Sequence, residues 1–207
     1  MQLKQYGRNI YLIGAQSTGK TTLFNALRTC FSTPENSEEV PQSIEETARI
    51  IFKQEGFEFA AVDTLSDFDK YLSIQRTILR AQLKAEDEAL RKGNWFISDR
   101  SGLDCLIYAS NCIGREGAGV LSQTSELEQL KARMQEGRII VCEPVADWLK
   151  DDRTGLRPIP KSKENWFAIH QEFCRLLDDL GWNYEVLPSG MTSLEEGVAF
   201  VRHGINK

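Results

Sequence analysis

One short loop constrains the fold of this chain more than any other feature of its sequence. Residues 14–21, GAQSTGKT, fit the pattern G-x-x-x-x-G-K-[ST] at every defined position. The apolar run NIYLIG (9–14) precedes the loop, and the amphipathic segment KTTLFNALRTCF (20–31) follows it. Glycines permit backbone conformations that a Cβ would block, and successive amides at a helix N-terminus point at an anion. The context therefore predicts a strand, a phosphate-binding loop and a helix, in that order.

The phosphate-binding loop assigns roles to individual side chains. Its amides would hold the phosphates of a nucleoside triphosphate, Lys20 would reach the terminal phosphates, and the Thr21 hydroxyl would bind Mg²⁺. The alternative is a glycine-containing turn that binds nothing, and the fit of both flanking elements argues against it. The predicted nucleotide-binding residues are Gly14, Ala15, Gln16, Ser17, Thr18, Gly19, Lys20, Thr21 and Thr22.

Further short apolar runs predict the other strands. NWFIS (94–98) and RIIVC (138–142) are strong, NYEVL (183–187) is weaker, and a short edge strand is expected near Val40. Helix-like sequence separates these runs, and buried strands that alternate with helices indicate a parallel sheet with helices on both faces. The predicted helices cover 20–31, 43–52, 67–93, 102–113, 124–136, 162–180 and 191–203. The predicted loops cover 32–41, 56–67, 114–123 and 144–161.

Composition narrows the class of protein. The 207 residues are 41% hydrophobic, which suits one globular domain spanning 1–207. A net charge of -5 argues against a general nucleic-acid or anionic-membrane surface. No apolar run approaches the ~20 residues that cross a bilayer. Five cysteines without a CxxC pair indicate reduced thiols. We therefore expect a cytoplasmic protein with no nucleic-acid partner and no transmembrane segment.

A second acidic site is predicted where the NWFIS run ends. Asp99 follows this run and so stands at the carboxyl end of a strand, the edge where ligands bind in open α/β sheets. There it would order the Mg²⁺ shell together with Thr21. The alternative is that Asp99 caps the next helix, but Ser101 is an equally good cap. Arg100 would clamp phosphoryl or acceptor oxygens in a bidentate manner, the alternative being a surface charge.

Four segments of the sequence together resemble a known family. GAQSTGKT, IEETARII, ISDRSGLDCLIYA and DDRTGLRP are similar to the AAA-type P-loop domain group typified by the bacterial nicotinamide riboside kinase domain. The resemblance covers about residues 9–160. It implies a three-layer αβα P-loop NTPase with a mainly parallel sheet, like that of nucleoside and nucleotide kinases. The group contains kinases of small ribosyl-like acceptors, and also nucleotide-binding proteins tied to GTP and phosphoinositide binding.

The resemblance also implies an acceptor side. Glu46 and Arg49 match the E-x-[AG]-R element of the group, which would let the Glu46 carboxylate orient or deprotonate the acceptor hydroxyl. Two alternatives stay open: Glu45 takes that role, or Glu46 is the partner of Ser43 in a helix capping box. The predicted acceptor-binding residues are Glu46, Arg49, Gln75, Arg100 and Asp104.

A basic loop is expected to close over the nucleotide. Residues 144–161 occupy the position of the lid in small P-loop kinases, where arginines neutralise charge on the transferred group. Arg153 and Arg157 are the candidates, with Lys161 and Lys163 behind them, and an ordinary solvated loop is the alternative. The predicted catalytic residues are Lys20, Glu46, Asp99, Arg100, Arg153 and Arg157.

These features predict an enzyme. The favoured function is Mg²⁺-dependent transfer of the γ-phosphate of ATP or GTP to a hydroxyl of a small metabolite, a nucleoside-like acceptor being one candidate. The alternative is an ATP- or GTP-binding regulatory NTPase with a protein or phosphoinositide partner. The N-K-x-D base motif of G proteins does not occur in the sequence.

Overall fold

The computed structural model describes residues 8–32, 40–57, 67–148 and 162–203. Of the predicted lid, residues 149–161 lie outside the described residues, and with them Arg153, Arg157 and Lys161. The described elements are β1 (Ile10–Ile13), α1 (Lys20–Phe31), β2 (Gln42–Ile44), α2 (Thr47–Gln54), α3 (Phe68–Lys92), β3 (Phe96–Asp99), α4 (Gly102–Ser122), α5 (Ser125–Gln135), β4 (Arg138–Cys142), a 3₁₀ turn (Ala146–Trp148), α6 (Lys163–Asp179), β5 (Glu185–Leu187) and α7 (Leu194–His203).

The described strands form one parallel sheet in the order β2-β3-β1-β4-β5. β1 lies at its centre, with Ile10 opposite Ile97 of β3 on one side and Arg138 of β4 on the other. Every residue of β1, β3 and β4 is buried, as expected for strands that helices cover on both faces. The phosphate-binding loop therefore emerges from the middle of the sheet at its carboxyl edge.

Side chains that alternate along β1 divide the core into two layers. Ile10 and Leu12 pack with apolar residues of α1 and α7. Tyr11 and Ile13 pack on the other face with residues of α4, α5 and α6, and a further apolar cluster joins α3 to α4 and α5. The arrangement is the predicted three-layer αβα fold with a parallel sheet. None of the described helices has the length and apolar character needed to span a membrane.

The beginning of α2 corrects the sequence interpretation. Ser43 was expected to cap a helix over 43–52, but it lies in β2, paired with Ile97 of β3. The helix begins at Thr47, and the Glu46 side chain makes no capping hydrogen bond, so the capping-box alternative is wrong. The cause is tertiary, because the amide of Gln42 donates to the Trp95 carbonyl and continues the sheet at its edge. An edge strand was expected near Val40, within 32–41, and the observed edge strand begins two residues later, at Gln42.

Helix α4 extends through a segment that the glycine-rich sequence had indicated as a loop, 114–123. Only Gly114, with φ 78° and ψ 179°, departs from helical backbone, and the helix resumes to Ser122. Leu121 is fully buried there, with Ala118 and Val120 packed against the same core cluster. Burial of these apolar side chains outweighs the low helix propensity of glycine.

Candidate active site

The phosphate-binding loop between β1 and α1 depends on unusual backbone angles. Gly14, Ser17 and Gly19 have φ values of 129°, 58° and 80°. A Cβ added to Gly14 would lie 2.8 Å from the carbonyl oxygen of Cys142 in β4. Helix α1 begins directly after Gly19 and has no side-chain cap among the described residues. Its first amides are therefore available to an anion.

The backbone at Gly14 supports a stability prediction. Gly14→Ala should lower the free energy of unfolding by about 3 kcal/mol, because a left-handed backbone and a contact with a carbonyl that cannot move penalise the new Cβ together. Gly56→Ala is the matched control, since Gly56 has φ 61° but open space around it, and should cost about 1 kcal/mol. Urea denaturation followed by circular dichroism measures both, and equal losses would contradict the role of the Cys142 contact.

Lys20 is buried and turns back onto its own loop. Its Nζ donates hydrogen bonds to the carbonyl oxygen of Ala15 and, at 3.0 Å, to Oγ1 of Thr18. Thr18 Oγ1 also donates to the Ala15 carbonyl, at 3.0 Å. Burial, together with the nearby Arg100 guanidinium, lowers the pKa of Lys20 to about 8. The ammonium group is therefore held at a cost that a bound anion would relieve.

Thr21 and Asp99 meet as the sequence predicts, across 78 positions of the chain. Oγ1 of Thr21 donates to Oδ2 of Asp99 at 2.7 Å, and Asp99 ends β3 as expected. Oδ1 of Asp99 is buried and has no hydrogen-bond partner among the described residues. Burial also raises the pKa of Asp99. The capping role in α4 belongs instead to Ser101, which forms a capping box with Asp104.

Oxygen donors of this kind fit Mg²⁺. A hydroxyl and an unpaired carboxylate oxygen lie side by side, and Mg²⁺ is usually held by one or two protein oxygens while phosphates and waters complete its shell. Across the described ranges, no group of three histidine, cysteine, aspartate or glutamate side chains could hold a metal without such help. Thr21 and Asp99 are thus the residues that would hold Mg²⁺ together with a nucleotide.

Arg100 is buried rather than exposed, and its backbone is unusual. Its φ is 90°, and its amide donates to the carbonyl of Leu12 at 2.9 Å. The guanidinium donates from Nε to Oε1 of Glu46 at 2.6 Å and from Nη1 to Oδ1 of Asp104 at 2.9 Å. It also lies 5.5 Å from the centre of the Tyr108 ring. Two carboxylates therefore fix the guanidinium in one orientation.

Glu46 pairs with both arginines of this charged cluster. Oε2 of Glu46 pairs with Arg49 at 2.9 Å, while Oε1 accepts from Arg100. Burial alone would raise the pKa of Glu46, but Arg100 and Arg49 outweigh it and hold that pKa below its usual value. A carboxylate with both oxygens paired and a lowered pKa is a weak proton acceptor. The geometry thus favours Glu46 as the group that positions the arginines. Glu45, the competing acid, is exposed and pairs with Arg28 at 3.3 Å.

Two cavities lie beside Arg100. A cleft of about 540 Å³ is lined by residues 17–23 and continues past Arg49 and Trp148 toward residues 187–194. A smaller cavity of about 40 Å³ lies between α2, α3 and α4. Its walls combine polar and apolar side chains, and Arg100 lines both spaces. The lining of the smaller cavity is Gln16, Glu46, Thr47, Ala48, Phe52, Tyr71, Gln75, Ile78, Arg100, Ser101, Asp104, Cys105 and Tyr108.

The predicted residues divide between these spaces. Ser17 to Thr22 line the large cleft, whereas Gly14 and Ala15 shape the loop behind it and Gln16 lines the smaller cavity. Glu46, Gln75, Arg100 and Asp104 meet at the smaller cavity, and Arg49 lines the large cleft.

Two residues of the site were not predicted. Tyr108 donates to Oε1 of Gln16 at 3.0 Å, and the buried indole of Trp166 donates to the Gln16 carbonyl at 2.7 Å. The four-residue spacing of Asp104 and Tyr108 is the signal that could have identified Tyr108, because these two residues share a face of α4. No local signal marks Trp166, which lies 150 positions from its partner.

Loop, strand acid and sheet order define a class of protein. A phosphate-binding loop after the central strand of a parallel β2-β3-β1-β4-β5 sheet, with an acid at the end of the adjacent strand, is the core of a P-loop NTPase of the kinase-like type. The family model described as "AAA domain" matches residues 9–196, and the chain belongs to this family. No curated protein matches the chain.

Solved structures share the fold. The NadR protein in complex with NR superposes with a TM-score of 0.71 at 17% identity, over 99% of this chain and 53% of that one. Shikimate kinase from Acinetobacter baumannii in complex with shikimate superposes with a TM-score of 0.53 at 14% identity, over 96% and 93%. This chain thus spans about half the length of the NadR chain. At these identities the likeness concerns the fold, and it agrees with the resemblance found in the sequence.

Proposed function

We propose that the protein is a small-molecule kinase that transfers the γ-phosphate of ATP or GTP to a hydroxyl of a small metabolite, in a Mg²⁺-dependent reaction. The observation that carries the proposal is the position of Arg100, which lines both the phosphate cleft and the separate cavity between α2, α3 and α4. A regulatory NTPase needs only the phosphate cleft. A phosphotransferase also needs a space for the acceptor beside the transferred group, and the smaller cavity, at about 40 Å³, would have to widen to admit a metabolite.

Each side of the site has a defined task in this proposal. The loop amides and Lys20 hold the phosphates, and Lys20 exchanges the Ala15 carbonyl for phosphate oxygens. Thr21 and Asp99 would hold Mg²⁺, which when bound neutralises charge on the β- and γ-phosphates. Arg100, which pairs with Glu46 and Asp104, would face the transferred group from the acceptor side. Arg153 and Arg157 are proposed to complete the charge neutralisation from the lid.

An acceptor screen tests the proposal. Purified protein with γ-labelled ATP or GTP and Mg²⁺ is offered NR and shikimate, the ligands of the two similar structures, followed by nucleosides and a metabolite pool. A labelled small molecule that requires the protein supports the kinase function. Nucleotide turnover that no acceptor increases would overturn it and favour the regulatory NTPase. A Lys20→Met variant controls for contaminating kinases.

Binding of the triphosphate should take up a proton at alkaline pH. The pKa of Lys20 is about 8 in the free protein, so at pH 9 the side chain is mostly neutral. Phosphates favour the charged form of Lys20. Binding of the triphosphate at pH 9 should therefore take up about 0.9 proton per site, and binding at pH 7 should take up about 0.1. Calorimetry in buffers of different ionisation enthalpy measures this number. Equal proton uptake at both pH values would contradict the assignment of the proton to Lys20.

A further inference from the structure

A buried polar network lies between α3 and the sheet, on the face opposite Thr21. Gln82 of α3 is its centre and is only 1% exposed. Its Oε1 accepts a hydrogen bond from Thr47 at 2.9 Å, and its Nε2 donates to Oγ of Ser98 at 3.1 Å and to Oε1 of Glu86 at 2.9 Å. One amide group thus connects α2, β3 and a neighbouring turn of its own helix.

Two contacts of Gln82 are chain neighbours of the site acids. Ser98 directly precedes Asp99 in β3, and Thr47 directly follows Glu46 at the beginning of α2. Because side chains alternate along a strand, Asp99 reaches Thr21 of α1 on one face while Ser98 reaches Gln82 on the other. Gln82 therefore contacts the end of β3 on the face of the sheet opposite Thr21.

Glu86 anchors the network one turn further along α3. Its Oε2 accepts from the Tyr11 hydroxyl at 3.2 Å and from Arg133 at 3.0 Å. Burial raises the pKa of Glu86. Buried polar groups of this kind cost free energy even when they are paired, and apolar side chains of similar volume often give a more stable core. We therefore expect the network to fix the positions of the residues that it contacts, more than to add stability.

We propose that Gln82 is a positioning residue that holds Asp99 against Thr21 in the geometry that Mg²⁺ requires. The inference rests on the proposed Mg²⁺–nucleotide site. Mg²⁺ demands near-octahedral geometry with short bonds, so a strand end that is free to shift binds it less well. Loss of a direct outer partner of a metal ligand typically lowers metal affinity 10- to 100-fold, and we expect the low end of this range for Gln82, which acts through the neighbouring Ser98.

A Mg²⁺ titration tests the role of Gln82. The probe is a fluorescent N-methylanthraniloyl derivative of ATP, and the readout is the Mg²⁺ concentration that gives half-maximal enhancement of its binding. Gln82→Met should raise this midpoint about 10-fold, while probe affinity in EDTA changes less than about twofold. Ser98→Ala should shift the midpoint in the same direction. The double variant should be no worse than Gln82→Met, because the hydrogen bond that Ser98→Ala removes is already absent in Gln82→Met.

Leu121→Ala is the matched control. Leu121 is fully buried in α4 and outside the network, so its truncation destabilises the core without touching β3. Its midpoint should equal that of the wild-type protein. An unchanged midpoint in Gln82→Met, or an equal shift in Leu121→Ala, would overturn the inference, and Ser98→Ala carries the test if Gln82→Met does not fold. Absence of Mg²⁺-dependent probe binding in the wild-type protein would instead refute the proposed nucleotide site.

Discussion

Replacement of Lys20 by methionine should raise the melting temperature of the nucleotide-free protein while it lowers nucleotide turnover by about 1,000-fold. Turnover falls because the variant lacks the loop cation that is predicted to reach the terminal phosphates. The melting temperature rises because Lys20 destabilises the wild-type fold. With a pKa of about 8, the folded protein binds the Lys20 proton less tightly than the unfolded chain does. At neutral pH this mismatch costs up to about 3 kcal/mol, and methionine removes it. The Ala15 carbonyl keeps Thr18 as its donor.

The pH dependence of this gain has a definite sign. The unfolded chain retains the Lys20 proton up to its ordinary pKa near 10.5, and the folded protein releases it near pH 8. The penalty in the wild-type protein is therefore complete below pH 8 and disappears as the pH rises toward 10.5. Thermal denaturation at pH 7 and pH 10 measures the difference, and the advantage of Lys20→Met should shrink at the higher pH. Lys92→Met is the control, because it removes an exposed lysine at the end of α3. This variant should show neither the higher melting temperature at pH 7 nor its decrease at pH 10.

Arg100→Met should have the largest effect on stability. Glu46 and Asp104 are both buried, and each would lose its Arg100 contact. Breaking a buried ion pair in this way typically costs about 3–5 kcal/mol, since a charge is left without compensation. Arg49→Met removes the other arginine that pairs with Glu46. Its side chain is 42% exposed, so that variant should lose less than about 1 kcal/mol. Urea denaturation at neutral pH compares the two variants.

Lowering the pH should narrow the gap between Arg100→Met and the wild-type protein. In the wild-type protein the pKa of Glu46 is lowered, so its stabilising contribution is present at neutral pH and is lost as the pH falls through that lowered pKa. In the variant, burial without Arg100 raises the carboxyl pKa, and protonation then relieves the penalty as the pH falls. Melting temperatures from pH 8 down to pH 3, a range that includes the lowered pKa of Glu46, measure the gap. A gap that does not change with pH would refute the explanation by unpaired carboxylates.

The donor side was predictable because its chemistry is local. Eight consecutive residues specify the phosphate-binding loop, and the flanking apolar patterns specify the strand and helix around it. The contact between Thr21 and Asp99 spans 78 positions. It still follows from a general rule, since the carboxyl ends of parallel strands lie at one edge of the sheet.

The cluster around Glu46 and Arg100, which is the proposed acceptor side, was harder to predict because its contacts are long-range. Ser43 was assigned to a helix since three residues of edge strand carry almost no periodicity of their own, and their pairing with β3 decides the structure. Arg100 was predicted to act as a clamp, but the ion pair that accompanies its burial is with Glu46, 54 positions earlier. Gln82 gave no signal, because a polar residue on an amphipathic helix is usually solvated.

The hydrogen bond from Trp166 to the Gln16 carbonyl has a consequence for the smallest fragment that could bind phosphate. All described residues of the motif, the strand acid and the acceptor cluster lie before residue 109. Truncation of the chain after β4 would therefore keep all of these residues. Without α6, however, the carbonyl at Gln16 would lose this donor and the loop would lose a fully buried indole beneath it. The smallest fragment that keeps the hydrogen bonds of the loop therefore extends at least to α6.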